Sequence, residues 1–137
     1  KSGRWIKRLA EKEDHRVVDY RIVTDDRHEI ARAVTAIIDA AGPHVLIVNG
    51  GTGITEKDVT IEAVSPLFAK TLTAFGPLFS QLSFAQIDSA AILSRATAGI
   101  IGGTAVFCLP GSLKACKLAC KELIFTEIKH IAAHLAS

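Results

Sequence analysis

Little in this sequence points towards a polyanion or a membrane. Among 137 residues there is one tryptophan and one tyrosine, too few for the stacking platform that holds single-stranded nucleic acid. Sixteen basic and fourteen acidic side chains leave a net charge of +2 and no evident basic face, so the electrostatic footprint of a nucleic-acid binder is missing too. No apolar run approaches the roughly 18–20 residues that a bilayer-spanning helix needs, and nothing at the amino end resembles a signal peptide. The three cysteines are odd in number and lack the spacing of a disulfide framework. A reducing, cytoplasmic setting is therefore the expectation. Linkers, internal repeats and low-complexity segments are also lacking, and the length suits one domain spanning 1–137.

What is abundant is apolar: 49% of the residues are hydrophobic. So short a chain buries only part of that surface by itself, and the excess is expected to cover contacts with other subunits. The order of elements reads as follows. Residues 2–13 form a helix with Ser2 as a possible cap and Trp5, Ile6 and Leu9 inward. RVVDYRIV (16–23) has the β-branched content of a strand. TDD (24–26) opens a second helix, with Ile30, Val34, Ile37, Ile38 and Ala41 on one face, and Gly42-Pro43 stops it. HVLIV (44–48) is wholly apolar, as in a central strand covered on both sides. A helix starts near Thr60, with Ile61, Val64, Leu67 and Phe68 on one side. Gly76-Pro77 marks a bend before helical spacing at Leu78, Phe79 and Leu82, and 89–98 read as a helix ending at Gly99. TAVFCL (104–109) is a second buried-type strand, and PGS (110–112) leads into a helix with Leu113, Cys116 and Ala119 or Cys120 inward. A last amphipathic helix carries Ile128, Ile131 and Leu135. Strands alternating with helices predict a three-layer α/β/α fold on a mostly parallel sheet. Only three strands are convincing and the chain begins in mid-helix, so a further strand is expected upstream of Lys1.

In open parallel sheets, ligands sit outside the carboxyl ends of strands. TDD, NGGTGITEKD (49–58) and PGS occupy such positions and are expected to gather on one sheet edge. Gly50, Gly51 and Gly53 let backbone amides turn towards an anion, and Thr52 and Thr55 add hydroxyls. Ser112 can present a hydroxyl at a helix amino end. Together these suggest a phosphate cradle, although neither GxGxxG nor GxxxxGK[ST] is present, and a plain strand–helix turn is the alternative. Asp58 beside such a cradle would repel a phosphate unless Mg²⁺ intervened; its other reading is an acid favouring a helix amino end, as for Asp25 and Asp26. Arg95 offers a bidentate fork to a carboxylate or phosphate, with a structural or intersubunit ion pair as the alternative, and Lys57 and Lys114 either screen phosphate charge or are simply solvated. Cys108, Cys116 and Cys120 read as inert core thiols. His130 and His134 share a helix face but lack the acidic partner and third ligand of a zinc enzyme. No serine–histidine–acid grouping is identifiable.

Taken as a set, GGTGITEKDVTIEA (50–63), FGPLFSQLSF (75–84), SRATAG (94–99) and FCLPGS (107–112), with SG at 2–3 and YRIVTDD at 20–26, resemble the molybdopterin-binding MoaB/Mog family of molybdenum-cofactor biosynthesis. The overall pattern is closer to the MoaB branch. The resemblance implies an α/β/α domain assembling as a trimer or hexamer. It also implies molybdopterin as ligand, and adenylylation of its terminal phosphate with Mg-ATP, releasing pyrophosphate. By the same resemblance Gly50, Gly51, Thr52 and Gly53 match the phosphate-contacting loop, Asp58 the acid associated with Mg²⁺ and catalysis, and Asp25 a second functional acid. Ser94, Pro110, Gly111 and Ser112 match segments lining the pterin side. Departures are Lys57 for the usual arginine, and Ile61 and Leu113 for prolines. The strand and Ser-Asp loop with which members begin are absent before Lys1. An adenylyltransferase is thus one expectation, a non-catalytic molybdopterin carrier a second, and a detached domain of a larger cofactor protein a third.

Overall fold

The computed structural model describes residues 2–87 and 93–136. Four strands form one mixed sheet: β1 (Val45–Asn49), β2 (Lys70–Thr71), β3 (Thr97–Ile101) and β4 (Thr104–Leu109), in the spatial order β1-β4-β3-β2. β1 and β4 run parallel from Val45 opposite Ala105 to Asn49 opposite Leu109, while β3 is antiparallel to both β4 and β2. The helices are α1 (Ser2–Lys12), α2 (Arg27–Ala41), α3 (Thr60–Val64), α4 (Phe75–Ile87), α5 (Leu113–Ala119) and α6 (Phe125–Leu135). A π-helical turn, Cys120–Ile124, joins α5 to α6.

Strand alternation divides the core between two helical layers, because successive side chains leave a strand on opposite faces. Ala105, Phe107 and Leu109 of β4, with Val45 and Ile47 of β1, pack with Phe75 and Phe79 of α4, Cys116 and Ala119 of α5, and Trp5 and Leu9 of α1. On the other face, Val106, Cys108, Leu46 and Val48 meet Ile30 and Val34 of α2 and Ala63 and Val64 of α3. All six residues of β4 are buried. The three-layer α/β class read from the sequence therefore holds, with a mixed sheet. The inward positions Trp5, Ile6 and Leu9 also hold, as do the buried Ile30, Val34 and Ile37 on α2. Ala41, at the end of α2, is exposed.

Local chemistry explains the helix limits. Asp26 caps α2, its carboxylate accepting from the amides of His28 at 2.9 Å and Glu29 at 3.0 Å. Gly42 ends it in the left-handed region at φ 54°, its N–H donating to Ile38 O. Ser2 is not a cap: it lies within α1, buried, and its hydroxyl donates to Gly111 O at 2.8 Å. Gly76-Pro77 does not precede a helix as a bend but sits in the first turn of α4, where a missing proline N–H is harmless. Trp5 lies under two ammonium groups, Lys117 Nζ at 5.5 Å and Lys121 Nζ at 5.7 Å from its ring centre, tying α1 to α5 and the turn after it.

Three expectations change. The helix read over 89–98 falls partly outside the described residues, and its last two residues, Thr97 and Ala98, begin the strand Thr97–Ile101. Gly102-Gly103 between β3 and β4 is a two-residue hairpin link, with Gly102 at φ 59°. Gly99 must be glycine, because Phe68 covers it and a Cβ there would lie 2.3 Å from the ring. Among the described residues HVLIV supplies β1, the outermost strand, with β4 between it and β3. Finally, RVVDYRIV (16–23) is extended but is not a strand. Among the described residues the outer edge of β1 has no partner, and residues of this segment and of β1 line one cavity of about 1100 Å³. Without ladder hydrogen bonds an extended backbone remains solvated, and Ile22 is 91% exposed. In hydrogen exchange, amides of Val17–Val23 are expected to exchange at nearly unfolded rates and those of β4 most slowly; comparable protection of the two segments would contradict this division.

Candidate functional site

The loop after β1 is shaped by two consecutive glycines in the left-handed region, Gly50 at φ 101° and Gly51 at φ 69°. Gly50 N–H donates to Leu109 O at 2.8 Å, extending the β1–β4 pairing by one residue. Thr60, the first residue of α3, closes the loop: its amide donates to Gly51 O at 3.1 Å and its hydroxyl to Gly50 O at 2.8 Å. A Cβ on Gly51 would lie 2.3 Å from the Thr60 hydroxyl, so both conformation and space demand glycine there. Gly111, in the loop after β4, packs against Gly50, with a Cβ at 111 only 3.4 Å from Gly50 Cα. The NGG and PGS loops thus meet as their positions beyond two parallel neighbours predict. Among the described residues, the amides of Gly51 and Thr52 donate to no protein acceptor.

Arg95 holds the rest of the loop in place. Its main-chain N–H donates to Thr52 O at 2.9 Å, its Nε to Gly53 O at 2.8 Å and its Nη2 to Asp58 O at 3.2 Å. The same guanidinium forks onto Glu62 of α3, with Nη1–Oε2 at 2.5 Å and Nη2–Oε1 at 3.3 Å. Of its two sequence readings, a structural ion pair is the one found. The fork holds Glu62 below its ordinary value of 4.5, and Glu62 in turn raises Arg95. Asp58 Oδ2 accepts from the Thr55 amide at 3.0 Å and hydroxyl at 2.8 Å. The Thr55 amide first, then its hydroxyl, lower the Asp58 pKa from its ordinary value of 3.8, with the Arg95 charge adding to the effect. The Thr55 hydroxyl is consequently spent on Asp58, and Thr52 is buried as a whole residue, 2% exposed.

The other predicted residues fall around this centre. Asp25, on the solvent-exposed stretch before α2, lines the large cavity together with Asn49, Gly50 and Thr60. Ser94 precedes the Arg95 clamp and accepts from the Ala96 amide at 3.3 Å. Pro110 O accepts from the Cys116 thiol at 3.0 Å, and the Ser112 hydroxyl caps α5 by accepting from the Ala115 amide at 3.1 Å. Burial pushes Cys116 up to about 11 and Cys108 and Cys120 up to about 12, so these thiols stay protonated and inert at neutral pH. Sequence reasoning overlooked Thr60 and Glu62 as loop partners; nothing in their spacing marks them, whereas a lone arginine in an apolar stretch did mark Arg95. Among the described residues no three His, Cys, Asp or Glu side chains converge on a metal position. Asp58 therefore fits Mg²⁺ only in the mode where one carboxylate is joined by substrate phosphates and water.

A glycine loop at the carboxyl end of β1, backed by the β4–α5 loop, lies where α/β domains place their ligands. The family model described as "Probable molybdopterin binding domain" matches residues 1–130, and the chain belongs to that family. Molybdenum cofactor biosynthesis protein B of Bacillus subtilis (strain 168) is 45% identical over 136 residues, covering 98% of this chain and 80% of that protein. A crystal structure of molybdenum cofactor biosynthesis protein B superposes with a TM-score of 0.95 at 45% identity, over 99% of this chain and 85% of the other. The tungsten cofactor synthesizing protein MoaB from Pyrococcus furiosus gives a TM-score of 0.90 at 42% identity, over 100% of this chain and 86% of that one.

Truncating the clamp should loosen the loop more than the fold. Arg95→Ala is expected to cost about 1 kcal/mol in urea unfolding, at the low end because the ion pair is over a third exposed. Amides of the 51–58 loop should exchange faster in the same variant. Unchanged loop protection would show that Arg95 does not position it.

Proposed function

We propose that this domain serves molybdenum-cofactor biosynthesis by binding molybdopterin and adenylylating its terminal phosphate with Mg-ATP. One observation carries the reading: consecutive left-handed glycines at the end of β1 leave the Gly51 and Thr52 amides without protein acceptors, beside the loop of Gly111. Amides arranged in this way suit phosphate oxygens. The family match and the names of the relatives supply the chemical identity of the phosphate carrier.

In the proposed reaction an oxygen of the pterin phosphate attacks the α-phosphorus of ATP. The bond to the bridging oxygen breaks, pyrophosphate leaves, and a new phosphoanhydride remains. The chain contributes position and charge balance, which carry most phosphoryl-type catalysis. The Gly50–Gly53 main chain holds phosphate oxygens, Asp25 assists with nucleotide at the cavity, and Ser94 with Pro110, Gly111 and Ser112 lines the pterin side. Asp58 would hold Mg²⁺, which neutralises developing charge when bound. Asp58→Asn keeps an acceptor for Thr55 but loses the charge. It is expected to slow ATP-dependent pyrophosphate release about 10²-fold or more while molybdopterin binding persists; near-normal turnover would sink the mechanism.

A second reading, a non-catalytic molybdopterin carrier, is favoured by the engagement of Asp58 Oδ2 with Thr55. Binding of molybdopterin by the wild-type protein with no pyrophosphate release in Mg-ATP selects it. A homotrimer or hexamer belongs to the same proposal, supported by the apolar surface of α4, where Phe84 is 64% and Leu78 49% exposed. Light scattering at micromolar concentration should give the mass of three or six chains; a monomer refutes the assembly.

A further inference from the structure

Helix α6 buries Ile128, Ile131 and Leu135 only partly and turns a second face to solvent, away from the loops described above. On that exposed face three side chains form a chain of contacts. Glu127 Oε1 lies 3.1 Å from His130 Nδ1, and His130 Nε2 lies 2.9 Å from His134 Nε2. The two rings are 4.5 Å apart between centres. With neutral imidazoles only one proton arrangement satisfies both contacts. His130 donates from Nδ1 to Glu127, which leaves its Nε2 as a lone pair, and His134 donates to that lone pair from its own Nε2. The two ε nitrogens are therefore aimed at a single point, and one proton occupies the space between them.

That geometry is close to what a metal ion asks for. Zinc–imidazole bonds of roughly 2.0–2.1 Å place two nitrogens about 2.8–3.4 Å apart for N–metal–N angles between about 90° and the tetrahedral value. The observed 2.9 Å already lies at the lower end, so a slight opening of the rings is enough. The sequence alone credited this pair with no acidic partner. The fold supplies one as a buttress, since Glu127 one turn earlier holds His130 by Nδ1 and presents Nε2 as the ligating atom. Carboxylates in this position fix the tautomer and raise the basicity of metal-bound histidines.

We propose that His130 and His134, with Glu127 behind His130, form a two-nitrogen surface site for a divalent transition ion of the zinc, nickel or copper class. Water fills the remaining coordination positions, in keeping with the lack of a third converging ligand among the described residues. On binding, the ion replaces the proton on His134 Nε2, and that ring takes up a proton on Nδ1 instead. Imidazole nitrogen selects these ions over Mg²⁺ and Ca²⁺, which prefer oxygen. The site is independent of the pterin reading and of Asp58.

The test is calorimetric titration of the metal-free chain with NiCl₂ and with ZnCl₂ in a non-chelating buffer containing millimolar MgCl₂. One ion per chain is expected. His130→Ala and His134→Ala should each weaken binding more than tenfold, Glu127→Gln about tenfold, and His28→Ala, an exposed histidine on α2, not at all. With CuCl₂, electron paramagnetic resonance should show coupling to two nitrogens, reduced to one in either variant of the pair. No binding up to millimolar ion, or affinity unchanged by both alanine substitutions, overturns the proposal. Equal weakening by His28→Ala overturns it as well. The three positions are exposed, so folding of the variants is checked simply by circular dichroism.

Discussion

Five consecutive pairs, Val45 with Ala105 through Asn49 with Leu109, hold β1 and β4 in parallel register, and the loops leaving the two strands therefore begin side by side. The pairing runs on through Gly50 N–H to Leu109 O, which places Gly50 against Gly111. It is anchored at the other end as well: Thr104 donates its hydroxyl to Pro43 O at 2.6 Å, and the Ala105 amide donates to His44 O at 3.0 Å. Because β4 is buried along its whole length, a slip by one residue would exchange its two faces and empty both cores at once. The position of the candidate site is thus a consequence of core packing some distance from it.

Register brings the loops together, but polar contacts give them their shape. Residues 50–58 have no regular ladder of their own; they are held by Thr60 from the following helix and by Arg95 from a segment distant in sequence. Arg95 satisfies three main-chain carbonyls and a carboxylate with one residue's donors. A planar guanidinium does this in a fixed fork that a lysine lacks. The arrangement leaves amides, rather than side-chain hydroxyls, as the groups the loop can offer to an anion.

Where a pattern was local, it was legible. The capping Asp26, the Gly42 stop, the Ser112 cap and the inward faces of α1 and α2 follow from hydrogen-bonding chemistry and helical period within a few residues. The glycine loop and its adjoining PGS turn were readable for the same reason, and the likeness to one family joined them into a set. Errors arose where identity depends on a partner. Residues 16–23 have the composition of a strand, yet strands exist only as pairs, and among the described residues this segment pairs with none. Nothing local separates Thr97 and Ala98 from the helix read over 89–98; their pairing with β4 makes them the start of β3.

The amino-acid sequence by itself determined the apolar strands β1 and β4, the inert thiols and the short list of residues from which a phosphate site could be built. It did so because side-chain period, capping and turn chemistry act over less than a dozen residues. Only the tertiary structure decided that β4 lies between β1 and β3 among the described residues, that Thr55 holds Asp58, that Arg95 serves Glu62 and the loop rather than an open pocket, and that His130 meets both Glu127 and His134. Each of these depends on which donor reaches which acceptor, whether across the sheet or along one helix face. Sequence spacing lists the candidates for such contacts, and packing selects among them.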